Sequence, residues 1–147
     1  MNQNPYQAPR DYGPPGAMQT APAATRGAFI LAALGAGLAS AYWAAVTLLV
    51  MFGVAKGSVA GAQVVLPGVL ILLYAVRGWQ LFQGNPAAAR RILVLHFVGG
   101  AVAVFQVMAG HGLIVTLNAV KIVIHVFGAI TAFLATRAYA AATAAPR

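Results

Sequence analysis

The distribution of charge along the chain constrains its fold more than any other feature. No charged side chain occurs in the 29 positions from Gly27 to Ala55, or in the 29 positions from Ile92 to Val120. A third uncharged run covers the 20 positions from Gly57 to Val76. A water-soluble domain needs surface charges to stay hydrated and apart from its neighbours, whereas a bilayer-spanning helix needs about 20 apolar residues. The sequence therefore predicts an integral membrane protein.

The length of the chain sets the number of spans. Its 147 residues accommodate four membrane-spanning helices with short connections. We predict an all-α fold, a polytopic transmembrane four-helix bundle with up-down-up-down topology. The transmembrane domain is expected at residues 27–142, with spans at about 28–54, 59–78, 90–110 and 114–139. Residues 143–147 form a short C-terminal tail.

Residues 1–26 differ in composition from the rest of the chain. They contain five prolines and little apolar material, so we expect a disordered, extended tail. Its opening, Asn2 to Pro9, resembles the NPYQAP-type start of uncharacterised small four-span bacterial inner-membrane proteins. The resemblance covers about eight residues and implies a location in the inner membrane but no activity. A solvated leader and a short docking peptide are both compatible with this segment.

The basic residues separate the two sides of the membrane. The formal net charge is +8, but nucleic-acid binding requires Lys and Arg gathered on one face, and here they occur singly or as one pair. We therefore expect no nucleic-acid partner. With four spans, seven arginines fall on the side of the termini and two lysines on the other. Because cytoplasmic loops carry the basic excess, the N-terminus and C-terminus should both be cytoplasmic.

Local signals suggest where the helices pack and turn. Span 1 is rich in small residues, including the small-xxx-small pair Gly37 and Ala41, which allow close helix contact in lipid. Pro67 is expected near the middle of span 2 and should kink it. Trp79 and Phe82 should follow that span at the membrane interface. The residues Gln83 to Pro86 indicate a turn, with proline at the first position of the next helix.

Two stripes of small and polar residues recur at spacings of three and four in spans 3 and 4. Such spacing marks the side of a helix that packs on a partner, so the stripes should face each other. They comprise His96, Gly99, Ala103, Gln106 and Gly110, and Asn118, Lys121, His125, Gly128, Ala132 and Ala135.

Antiparallel pairing of the two stripes predicts a register and a candidate site. Gln106 should lie near Lys121, Ala103 near His125, Gly99 near Gly128 and His96 near Ala132. We predict a polar layer in the outer half of the bundle, consisting of Thr47, Gln63, Gln106, Asn118 and Lys121, with His125 beside it.

Lys121 is the ionisable residue of this layer, and such a residue at membrane depth is a candidate functional site. No carboxylate occurs in the spans, since the only acid is Asp11. The ammonium group can reach the outer headgroups, form structural hydrogen bonds, or belong to a ligand or ion pathway. Arginines at the span ends are candidate lipid headgroup contacts or topological anchors: Arg77, Arg90, Arg91 and Arg137.

Cofactor and catalytic roles find little support in the sequence. His96 and His125 should differ in depth by about 10 Å, which fits poorly with two axial ligands of one haem, and only His111 and His125 are expected to approach each other. The chain has no cysteine, no acidic pair for acid–base chemistry and no recognisable catalytic motif. We expect no enzyme activity, no cofactor and no metal.

These expectations favour a non-enzymatic structural or accessory membrane protein. Its partners would be the lipid bilayer and either a second copy or another membrane protein. The alternative is a small transporter or channel-like module that uses the polar layer around Lys121. A haem-binding electron carrier is the weaker alternative.

Overall fold

The computed structural model describes residues 21–57, 64–110 and 113–144. After a 3₁₀ turn at Ala23–Thr25, four helices follow, α1 at Arg26–Ala55, α2 at Val65–Phe82, α3 at Pro86–Ala109 and α4 at Leu113–Ala144. The described residues contain no β-strand. Each helix is long and apolar enough to cross a bilayer, so the predicted all-α, four-helix, multi-pass architecture is confirmed. The expectations for residues 1–20 and 145–147 lie outside the described residues.

The helices pack around a core made largely of alanine. Helix α1 contacts α2 and α4, and α3 contacts α4 extensively, whereas α2 and α3 touch less. Small side chains allow helix backbones to approach closely, and this packing replaces the hydrophobic drive that is absent in lipid. The buried alanines are Ala32, Ala36, Ala39, Ala88, Ala89, Ala103, Ala132 and Ala135.

Two close helix contacts depend on glycine. A Cβ on Gly35 of α1 would stand 2.9 Å from the Gly128 Cα of α4, so these two backbones meet directly. A Cβ on Gly78 of α2 would stand 3.3 Å from the Ala36 Cβ of α1. On this side of α1, the small residues therefore form contacts within the bundle.

The large apolar side chains point outward instead. Leu48, Phe97, Phe105 and Met108 are examples, with exposed fractions of 68%, 70%, 73% and 82%. Such a surface would be an extensive apolar patch in water, but it matches the hydrocarbon of a bilayer. The distribution of large and small residues thus agrees with the hydropathy of the spans.

Helix α2 extends past the end that the sequence predicted near residue 78. Its described part begins at Val65, and the start predicted near residue 59 lies outside the described residues, so the mid-span kink stays a prediction. Pro67 lies in the first turn of the described helix. Proline has no amide N–H, but no hydrogen bond is lost at this position, because the first four amides of any helix lack an intrahelical partner. The helix continues to Phe82, and its last turn therefore contains Trp79 and Phe82, which are exposed and stacked with ring centroids 5.8 Å apart.

The predicted turn between α2 and α3 is confirmed. Gly84 has a φ of +78°, a conformation that glycine adopts without strain. Asn85 is the N-cap of α3, and its side chain accepts hydrogen bonds from the amides of Ala87 and Ala88. Pro86 occupies the first turn, as expected. The Ala21 amide donates to the Gly84 carbonyl at 2.8 Å, so the start of the described chain lies beside this turn.

Candidate functional site

The polar side chains inside the bundle lie mainly on one face of α4. Asn118, Lys121 and His125 are buried at spacings of three and four, which follow the helical repeat, and Thr131 is buried on another side of the helix. Thr131 donates to carbonyls of its own helix, so it needs no partner elsewhere. The other three face side chains from α1, α2 and α3 and form two adjoining clusters.

Lys121 is the centre of the first cluster. Its Nζ donates to the Gln106 Oε1 at 3.2 Å, which is the contact that the register predicted. The same ammonium lies 4.8 Å from the ring centroid of Trp43, within the range of a cation–π interaction. Only 4% of Lys121 is exposed, so its side chain forms contacts within the bundle and does not extend to the outer surface.

A small cavity of about 190 Å³ lies against Lys121. Polar and aromatic groups from α1, α3 and α4 form its walls, and the Tyr42 hydroxyl donates to the Leu117 carbonyl at 3.3 Å. The Trp43 Nε1 is buried and has no hydrogen-bond partner among the described residues. The lining residues are Tyr42, Trp43, Val46, Gln106, Leu117, Asn118 and Lys121.

The structure brings together part of the predicted polar layer. Gln106, Asn118 and Lys121 line the same cavity. Thr47 instead donates to the Trp43 carbonyl of its own helix at 2.8 Å and is absent from the cavity wall. Gln63 lies outside the described residues, so its place in the layer stays a prediction.

The second cluster is a pair of histidines, and here the predicted register is wrong. The Nδ1 atoms of His96 and His125 lie 3.0 Å apart, although the sequence placed the two residues at different depths. His125 lies against Gly99 rather than Ala103, and His96 lies against Gly128 rather than Ala132. The shift is about one helical turn, because each ring fills the space that a glycine leaves on the facing helix.

Tyr74 joins this pair from α2. Its hydroxyl lies 3.5 Å from the His125 Nδ1 and donates to the Leu95 carbonyl at 3.2 Å. The ring centroid of Tyr74 is 5.2 Å from that of His96. Three helices are therefore linked at one level by polar aromatic rings.

The hydrogen bond between the histidines requires opposite roles for the two Nδ1 atoms. One must carry a proton and donate, and the other must accept. Both Nε2 atoms are buried and have no partner among the described residues. An apolar cavity of about 540 Å³ adjoins the two rings between α3 and α4, with Phe97 and Phe133 in its wall.

The two Nδ1 atoms lie 3.0 Å apart and face each other, so the Nε2 atoms of His96 and His125 would have to hold a haem iron. The haem alternative stays a prediction. The alternative approach of His111 to His125 involves a residue outside the described part of the chain.

The candidate headgroup contacts lie towards the end of the bundle that contains the α2–α3 turn. Arg90, Arg91 and Arg137 are exposed, and Arg77 is half-buried. Arg77 donates to the Gln80 Oε1 at 2.6 Å, and the Arg137 guanidinium lies 5.6 Å from the Phe133 ring centroid. Their role at the lipid headgroups stays a prediction.

Sequence reasoning missed three aromatic members of the two clusters: Tyr42, Trp43 and Tyr74. All three occur in the middle of a span, whereas Tyr and Trp in membrane proteins concentrate at the interfaces. A buried Tyr or Trp usually finds a hydrogen-bond partner. This unusual depth was the signal that could have placed them beside the polar stripes.

The comparisons with known proteins identify no relative. No protein-family model, no curated protein and no solved structure matches the chain significantly.

Proposed function

We propose that this protein is a non-enzymatic accessory subunit of the inner membrane that packs against a second copy or another membrane protein. The observation that carries the proposal is the small-residue surface on the outer side of α1. Gly37 and Ala41 are exposed, and a Cβ on Gly37 would meet no atom within 4 Å. The large exposed side chains of Leu34 and Leu38 are near them on the same helix.

A shallow groove continues from this surface onto α2. It has a volume of about 330 Å³, and small residues form its floor, with Trp79 and Phe82 at its edge. Small residues at a helix surface permit a neighbouring transmembrane helix to approach closely. The groove lining comprises Ala33, Gly37, Tyr74, Ala75, Gly78, Trp79 and Phe82.

A single bulky substitution in the groove tests the proposal. Gly37→Ile should abolish self-association, measured by light scattering in mild detergent, or remove the proteins that co-purify with the wild-type chain. Ala101→Ile is the matched control, because Ala101 is an exposed small residue on α3. If Gly37→Ile changes neither the particle mass nor the co-purifying proteins, the proposal is wrong.

A small-solute pathway is the second candidate function, and the burial of Lys121 favours it. An ionisable side chain inside a transmembrane bundle commonly marks a substrate or ion route. In this case Lys121→Ala should abolish solute flux into proteoliposomes while the bundle stays folded. Flux equal to that of the wild type would eliminate this candidate.

A further inference from the structure

In its protonated form, Lys121 has no counter-ion in the membrane-spanning part of the chain. Its Nζ has three donor hydrogens, and within residues 21–57, 64–110 and 113–144 its hydrogen-bond acceptor is the Gln106 Oε1. The only acidic residue among 147 is Asp11, which precedes the first span. A buried charge in a bilayer is costly unless it is paired.

A second donor belongs to a residue that lines the same cavity. The Trp43 Nε1 is buried without a partner among the described residues, and Trp43 and Lys121 both line the cavity. An indole N–H donates only, and an ammonium donates only. The two groups therefore require an acceptor, and the most favourable acceptor carries a negative charge.

The size of the cavity limits what that acceptor can be. A volume of about 190 Å³ is below the roughly 300–1,000 Å³ of pockets that take drug-sized ligands. A single water occupies about 30 Å³ of liquid, so the cavity suits a monatomic or few-atom ion with its remaining waters.

We infer that the cavity between α1, α3 and α4 binds a small monovalent anion of the halide, nitrate or formate class. Lys121 neutralises its charge, and the Trp43 Nε1–H donates a hydrogen bond to it. Gln106 holds the ammonium in place through its side-chain oxygen. The inference does not rest on the docking of a partner at the α1–α2 groove, which lies elsewhere on the bundle.

Trp43 provides a direct spectroscopic reporter. The chain has two tryptophans, so Trp79→Phe leaves Trp43 as the single emitter, and Trp79 is an exposed residue. In this background, sodium bromide is titrated into the purified protein in detergent, with sodium gluconate keeping the ionic strength constant. Bromide quenches tryptophan emission on contact, so an ion bound beside Trp43 gives saturable quenching that chloride reverses.

Substitution at Lys121 completes the experiment. Lys121→Met should weaken the saturable quenching at least about tenfold, because a charge-assisted contact is lost. Lys56→Met is the matched control and should keep the response, since Lys56 is exposed at the end of α1. Lys121→Arg retains the charge and should also keep saturable quenching. Circular dichroism shows whether each variant is folded.

Two results would overturn the inference. The first is quenching that rises linearly with bromide in the folded protein with Lys121 intact. The second is saturable quenching that Lys121→Met leaves unchanged. Because Gly37→Ile does not touch this cavity, a failure of the accessory-subunit proposal leaves the anion measurement unaffected, and the converse also holds.

Discussion

The positions of two glycines determine where the interior histidines lie. A Cβ on Gly99 would overlap the His125 ring, and a Cβ on Gly128 would overlap the His96 ring. Real Cβ atoms do not approach other atoms so closely, so each imidazole occupies space that only glycine provides. The two residues thereby bring the Nδ1 atoms to hydrogen-bonding distance.

Gly128→Ala should destabilise the bundle by about 1–3 kcal/mol, since an added methyl group in a packed interior forces side chains to move. Detergent-solubilised protein unfolded by heat or denaturant provides the measurement. Gly68→Ala is the control and should cause no loss, because its Cβ would meet no atom within 4 Å. Adding His96→Ala to Gly128→Ala should recover part of the stability. No recovery would mean that His96 is not the obstacle.

The histidines should also be energetically coupled. Removing one leaves the Nδ1 of the other buried without its partner, so the second removal should cost less than the first. We expect a coupling energy of about 0.5–3 kcal/mol from a double-mutant cycle of His96→Ala and His125→Ala. His96→Ala combined with Thr47→Ala should be additive, because Thr47 bonds only its own helix. Additivity of the two histidine substitutions would contradict the observed contact.

Of the contacts between individual side chains of α3 and α4, the sequence predicted one and missed another. The polar stripes placed Gln106 beside Lys121, as observed, because two long side chains meet over a range of registers. The contact between the two histidines was missed because each ring reaches across a glycine of the facing helix. The prediction used a rise of about 1.5 Å per residue, which gives the depth of the backbone but not the direction of a side chain. The aromatic partner Tyr74 comes from a helix without a polar stripe.

At the level of the helices, the ends are better defined by caps than by hydropathy. Hydropathy alone places the start of the third span near residue 90, whereas the turn signals placed Pro86 at the first position of the helix, where α3 begins. Asn85 explains the difference, since its side chain accepts from two of the first amides. These polar capping contacts are not visible in the apolar periodicity of a span.

Asn85→Ala should therefore destabilise α3 by about 1 kcal/mol, the typical cost of losing an N-cap. The same unfolding measurement applies, and Asn85→Ser is the conservative control because serine can accept the same hydrogen bonds. If the alanine and serine variants are equally stable, the cap contributes nothing measurable.

The packing of α3 on α4 can be tested by cross-linking. The chain has no native cysteine, so Gln106→Cys with Lys121→Cys introduces the only reactive pair. A short bifunctional thiol reagent should join them, since the native side chains meet at 3.2 Å. Gln106→Cys with Thr136→Cys is the control, with Thr136 lying about 22 Å further along α4. Equal yields in the two pairs would show that the helices slide past each other.

For the whole molecule, the uncharged runs were sufficient to predict the four-helix architecture. A bilayer requires helices of a certain length and apolar composition, and both properties are visible in the sequence. The neighbour relations were not predictable in the same way. Helix α1 contacts α4 through Gly35 and Gly128, but glycine and alanine are so frequent here that no sequence pattern singles out this pair.

The arginines predict the orientation of the bundle in the membrane, and this prediction can be measured. Reporter fusions at the N-terminus and at the C-terminus should both read as cytoplasmic, because seven arginines fall on the side of the termini. A reporter inserted after Gly57 should read as extracytoplasmic and serves as the internal control. A C-terminal fusion on the extracytoplasmic side would contradict the predicted orientation.

The alanine-rich interior has a consequence for mutagenesis of this molecule. Alanine scanning finds residues by removing side-chain atoms, and most of the buried hydrophobic residues are alanines, which have no atoms beyond Cβ to remove. Truncation of the large outward residues merely exchanges protein for lipid methyl groups. Replacement of the interior alanines by leucine would identify packed positions far better, because each larger side chain has to force two helices apart. Whether a position tolerates a larger side chain, rather than a smaller one, should therefore show whether it lies inside or outside the bundle.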